Sequence, residues 1–459
     1  MNTLLDKKIK VKTTKSSYNF DFLIITPSSF FNSLKKLATH KKQCGYNTKI
    51  VSLKEIFNGD YFTTEGRDKP EQIKYFIKNA KENWNINFVL LVGGTKQLPI
   101  RYVHNLAKYP ELDFFETKII SDLYYADIYD SKGNFSSWDT NGNDIFGEWI
   151  GKTAEDKNID LKPDVFIGRL PCKNKIEVKI MVNKIINYEK NTFGKPWFNT
   201  IVVAGGDTYP SNDEIYEGEI DIQNTLDYMK KFNQVKLLAS KGKLTIRGTY
   251  KIIKAINNGC GFLVLAGHGN PIYWSTHPPN GTKKIGKFSI SNMLLLTNNN
   301  MLPICVTNGC RTSNFDTSLL NLFKHPKESW KKSFDFAPTC WSWSLTRKIG
   351  GGAIATLGST GLVYLRWDKE TGGKTEGWSY IMPRILWEYG LNGTDILGEI
   401  WGKVIIEYLK KFPVNWNTPS LIHDTNDPKV GAINARTVQE FILFGDPTLK
   451  IGGYGKVFK

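Results

Sequence analysis

Nothing in the 459 residues has the length and apolarity of a membrane span or of a secretory signal core; the longest apolar runs are strand-sized. As read, the chain is expected to be soluble, working inside the cell if complete or lacking a leader if not. Cysteine is sparse: Cys44, Cys172, Cys260, Cys305, Cys310 and Cys340 are too few for a disulfide framework in a chain this long. No C-x-x-C or H-x-x-x-H pair occurs, which argues against a zinc site built from His268, His277, Cys305 and Cys310. Acidic residues are in deficit, 44 against 61 Lys and Arg, and the net charge of +17 should attract anions and acidic surfaces. Yet there is no ribonucleoprotein-type aromatic strand, no Cys/His finger and no basic helix, so the lysines read as solvated faces and nucleic acid is not an expected partner. Low-complexity tracts are also missing. With 41% hydrophobic and 13% aromatic residues, the chain can bury more than one ordinary core.

What is present is an alternation of short Val/Ile/Leu/Phe runs with segments of helical apolar spacing, the pattern of parallel sheets covered by helices. In the first half the strands are "FDFLIITP" (20–27), "NTKIVSL" (47–53), "FVLLVGG" (88–94) and "DVFIGRLP" (164–171). "GKPWFNT" (194–200) interrupts the pattern, which restarts with "TIVVAGGD" (200–207), "VKLLAS" (235–240), "FLVLAGHGNP" (262–271), "LPICVTNGCRTSNFD" (302–316) and "GGAIATLGSTG" (351–361). Helices are expected at roughly 376–389 and 394–411. The expected fold class is α/β, with two consecutive doubly wound, mostly parallel sheet subdomains, residues 1–194 and 195–459.

Ligands of such sheets sit outside the carboxyl ends of the strands. Three strands of the second half end there in polar residues: Asp207, His268 and Cys310. A thiol is a good nucleophile only as thiolate, and an imidazole on the neighbouring strand end could take its proton and later return it to a leaving amine. Gly269 and Gly309 let a substrate carbonyl approach the backbone, and the N–H groups of Gly269 and Cys310 would form an oxyanion hole. These ingredients suggest amide hydrolysis. Apart from them, "SSWDTNGNDIFGEW" (136–149) sets Asp139, Asn141 and Asn143 at alternate positions with Glu148 beyond, a set of hard oxygen ligands suited to structural Ca²⁺. No organic cofactor is called for.

"AGHGN", "TNGCRTSNFD", "GGGAIATLGSTG" and "LFGDPTLKI" together resemble the catalytic domain of the gingipain-type cysteine peptidases, within the caspase-like clan. The resemblance runs over nearly the whole chain. It implies a cysteine endopeptidase with Cys310 as nucleophile, His268 as base and Asp207 orienting the imidazole. It further implies cleavage after Arg or Lys, with Asp221 or Asp368 as the carboxylate of the P1 pocket. Protein or peptide is then the expected substrate, a monomer the expected form, and secretion or the cell envelope the location the family suggests. The basic stretch 317–336 is expected to cover the cleft or carry a processing site. Two other classes compete: a silent relative that binds peptides or envelope components in the same cleft, and a basic scaffold for acidic polymers.

Overall fold

The computed structural model describes residues 19–109, 114–211, 214–321, 335–368, 373–422 and 430–455. Ten strands form one sheet: β1 (Phe22–Thr26), β2 (Thr48–Ser52), β3 (Phe88–Val92), β4 (Phe166–Leu170), β5 (Thr200–Gly205), β6 (Asn233–Leu238), β7 (Phe262–Ala266), β8 (Ile304–Thr307), β9 (Ala355–Ser359) and β10 (Phe441–Phe444). Their order is β6-β5-β7-β8-β9-β10-β4-β3-β1-β2. The first four strands form one contiguous block and the next five another, each parallel within itself. The two meet through β10, which pairs antiparallel with β9 and makes a single parallel bridge, Phe444 to Arg169, with β4. The halves therefore share one sheet, and their strands run in opposite directions. All carboxyl ends of β5 to β9 point to one rim.

The central strands are buried along their whole length, which explains why FLIIT, FVLLV and FLVLA read as unbroken apolar runs instead of alternating ones. Side chains still alternate between faces. Phe262, Val264 and Ala266 of β7 join the large core that continues into the first block, while Leu263 and Leu265 face a second cluster with Trp274, Phe288 and Trp341. Helices close both faces, several with the capping the sequence carries. Asp68 caps Lys69–Trp84, Asn174 caps Lys175–Asn191, and Ser52 and Glu55 make a capping box for Leu53–Asn58. Helices Trp378–Gly390 and Leu397–Lys411 fall near the expected positions. No described helix is long and apolar enough to cross a membrane.

Candidate active site

The site is built where β7 and β8 end. Their last paired residues are Leu265 and Thr307, so His268 and Cys310 each stand three positions beyond the same rung of a parallel ladder. The two chains stay in contact past the sheet. A Cβ added to Gly269 would lie 2.8 Å from the Gly309 Cα, and one added to Gly309 would lie 2.9 Å from the Gly269 Cα. Only hydrogen fits between these backbones, so the glycines are what let the imidazole and thiol strand ends converge. No hydrogen bond joins the two reactive side chains among the described residues.

Asn308 clamps the same junction, and sequence reasoning passed over it. Its Oδ1 accepts from Gly267 N–H at 2.7 Å, and its Nδ2 donates to Asp221 Oδ2 at 3.4 Å. One buried amide thus ties the histidine strand end to the cysteine strand end and both to helix Glu217–Leu226. Truncation leaves a buried N–H and a buried carboxylate short of partners, at a cost of about 1–3 kcal/mol. Asn308→Ala is accordingly expected to lose that much stability in chemical denaturation and to lower kcat more than it raises KM.

The imidazole is held by a backbone carbonyl. His268 Nε2 lies 2.7 Å from Thr208 O, and a carbonyl only accepts, so Nε2 carries the proton and Nδ1 is the basic nitrogen. The ring packs edge-on against Tyr209 and His277, with centroids at 5.9 and 5.1 Å. Burial, only partly opposed by the Thr208 hydrogen bond, lowers its pKa to about 4, and His277 and Lys284 push the same way. The ring is therefore mainly neutral near neutral pH.

Asp207 is fully buried at the end of β5, one residue from the carbonyl that orients the ring. Its backbone bridges His277 and its Oδ2 accepts from Asn280 N–H at 2.9 Å. The carbonyl of the next residue, Thr208, is the described hydrogen-bond partner of the His268 ring. Glu217, a second acid the sequence reading missed, secures this loop by accepting from the N–H groups of Thr208 and Tyr209, both at 3.1 Å.

Cys310 is half-buried at a sharp turn: the next residue, Arg311, has φ +55°, and its N–H bonds Gly361 O at 2.8 Å. The Val363 N–H donates to Cys310 Sγ at 3.3 Å. Burial nevertheless pushes the thiol up to about 12, the Val363 hydrogen bond works against this, and the carboxylates of Glu440 and Glu116 add to the rise. With the thiol raised and the imidazole lowered, the neutral pair is the favoured form near neutral pH. A thiolate absorbance titration, taken as the difference between the wild type and Cys310→Ala, is expected to show no thiolate at neutral pH and ionisation only far into the alkaline range. A thiolate already present at pH 7 would mean a preformed ion pair instead. The other cysteines are also thiols, and Cys305 is buried inside β8 as expected.

Asp221, on helix Glu217–Leu226, is fully buried beneath the rim, where Asn308 Nδ2 and Ser379 Oγ (3.3 Å) reach its Oδ2. Asp368 ends the strand Leu365–Asp368 of a hairpin with Gly373–Gly377, and its side chain lies outside the described residues. So do residues 322–334 of the basic stretch.

The acidic loop does not gather its residues as four oxygen ligands. Asp139 pairs with Arg67 and accepts from the N–H groups of Gly142, Asn143 and Asp144. Asn141 and Asn143 point their amide nitrogens at Glu148 Oε2, at 3.3 and 2.8 Å, while their amide oxygens cap Asn143 N–H and Ile145 N–H. Calcium here would have to displace the Arg67 guanidinium and turn both amides.

A single α/β sheet with a thiol and an imidazole on adjacent strand ends is the architecture of the caspase-like cysteine peptidases. The chain belongs to peptidase family C25, whose model matches residues 15–452. Gingipain R2 of Porphyromonas gingivalis is 24% identical over 305 residues, covering 65% of this chain and 33% of the relative, so the chain spans about a third of that protein's length. An uncharacterised protein of Archaeoglobus fulgidus is 22% identical over 354 residues, covering 74% of this chain and 75% of its own. Among solved structures, the crystal structure of the Arg-specific cysteine proteinase gingipain R superposes with a TM-score of 0.62 at 20% identity, over 94% of this chain and 78% of that one. At that identity the superposition carries the fold.

Proposed function

We propose that this protein is a cysteine endopeptidase that cleaves peptide bonds after Arg or Lys through Cys310 and His268. The observation that carries the reading is the shared rung: thiol and imidazole stand at equal distance beyond the Leu265–Thr307 pair, with two glycine backbones in contact between them. As the Cys310 sulfur bonds to the scissile carbonyl carbon, its proton passes to His268 Nδ1. The carbonyl oxygen gains charge beside the N–H groups of Gly269 and Cys310, a placement worth a few kcal/mol where it has been tested. The same nitrogen then gives the proton to the departing amine as the C–N bond breaks, leaving a thioester. Water, deprotonated by Nδ1, hydrolyses it and restores the thiol. Asp221 would accept the guanidinium or ammonium of the P1 residue. Fluorogenic peptides with Arg, Lys or Asp at P1 test the proposal: turnover of the basic two and not the acidic one is expected. A folded protein that binds the peptides and hydrolyses none would instead be a silent member of the family.

A further inference from the structure

We propose that His40, Cys44 and Glu189 form a binding site for a zinc-class divalent cation, outside the candidate active site. His40 and Cys44 are four residues apart at the end of helix Phe31–Gln43, the spacing that stacks side chains on one helical face. Glu189, on helix Lys175–Asn191, faces them. His40 Nε2 lies 2.8 Å from Glu189 Oε2 and 3.6 Å from Cys44 Sγ, and the three ligand atoms are all within 4.8 Å of one another. A tetrahedral zinc with bonds of about 2.3 Å to sulfur and about 2.0 Å to nitrogen and oxygen would hold its N and S ligands roughly 3.5 Å apart and its N and O ligands roughly 3.3 Å apart. The nitrogen–sulfur gap already has that size, and the nitrogen–oxygen gap needs to open by about half an ångström.

The surroundings fit a cation as well. Lys41 Nζ and Lys450 N–H hold Glu189 Oε1 at 2.7 and 3.0 Å, which fixes the carboxylate and leaves Oε2 on the side of His40 and Cys44. Lys41 also pairs with Asp446 at 2.8 Å, so two fully buried carboxylates face one ammonium. A divalent ion bound by the Cys44 thiolate and the His40 lone pair brings the formal sum of this buried cluster to zero. Binding moves the Cys44 proton to solvent, and the His40 Nε2 proton to Nδ1 or to solvent. His40 and Glu189 are buried and Cys44 is partly exposed, which gives the ion its route in. One nitrogen, one thiolate and one carboxylate suit zinc better than calcium or magnesium. The ion would cross-link two helices of the first block and, through Lys41, Asp446 and Thr448, the terminal "GDPTLKI" stretch.

The test is a Co²⁺ titration of the full chain carrying Cys310→Ala, which removes the other thiol–imidazole pair. One equivalent is expected to produce an intense tetrahedral visible spectrum with a thiolate charge-transfer band, both abolished by Zn²⁺. Cys44→Ser and His40→Ala, checked by circular dichroism for a native fold, are expected to weaken binding roughly a hundredfold or more. Because Cys44 is partly exposed, the serine variant keeps the comparison interpretable if the buried His40 variant fails to fold. A weak octahedral spectrum, or a charge-transfer band undiminished in Cys44→Ser, overturns the proposal.

Discussion

Cys310→Ala is expected to reduce turnover of a good arginyl or lysyl substrate by about a million-fold, the scale on which removal of a nucleophile has been measured. The structure makes the loss specific. Cys310 is half-buried three residues beyond β8, and its described sulfur contacts are both with the Val363 backbone, so alanine is expected to leave stability close to wild type. His268→Ala should cost nearly as much, because Nδ1 is both acceptor and donor in each half of the reaction. The double variant should be no worse than either single one, since the two side chains act as a unit. Turnover unchanged in Cys310→Ala would reject the nucleophile, and additive losses would reject the pairing.

For Asp221→Asn, kcat/KM toward substrates with basic P1 is expected to fall about a thousandfold, with little change toward neutral P1. Leaving a guanidinium buried opposite a neutral amide costs roughly 3–5 kcal/mol, which is two to three and a half decades. Asn308 Nδ2 and Ser379 Oγ both donate to Asp221 Oδ2, and the oxygen of an asparagine amide can still accept from them. The fold should therefore survive. A purely architectural Asp221 would give another pattern: a lower melting temperature and an equal loss toward every P1 residue. The ratio of basic to neutral kcat/KM, measured with the melting curve, separates the two.

Much of this site was legible because its chemistry sits on unbroken apolar strands. "FLVLAGHGN" and "ICVTNGC" each announce a buried strand followed by a glycine and a reactive residue, and parallel pairing then fixes their relative position. What stayed hidden rests on partners far apart in sequence. The carbonyl that accepts from His268 belongs to Thr208, the residue after Asp207, and a carbonyl has no side-chain signature. Asn308 stood in plain view within "TNGC", but its role depends on Gly267 and Asp221, 41 and 87 residues away. "FILF", of which only the last two residues open the "LFGDPTLKI" motif, is β10, the strand that joins the two blocks and reverses their direction. The acidic loop shows the same dependence on a distant partner. Its ligand-type residues follow a metal-like rhythm, but Arg67, 72 residues upstream of Asp139, supplies the positive charge.

Covalent capture tests the central claim most directly. A peptidyl chloromethyl ketone with arginine at P1 should attach to a single residue, mapped by peptide mass spectrometry to Cys310. His268→Ala and Asp221→Asn should slow the attachment, the first by loss of the base and the second by loss of P1 recognition. Modification of another cysteine, or equal labelling by a reagent with an acidic P1, would contradict it.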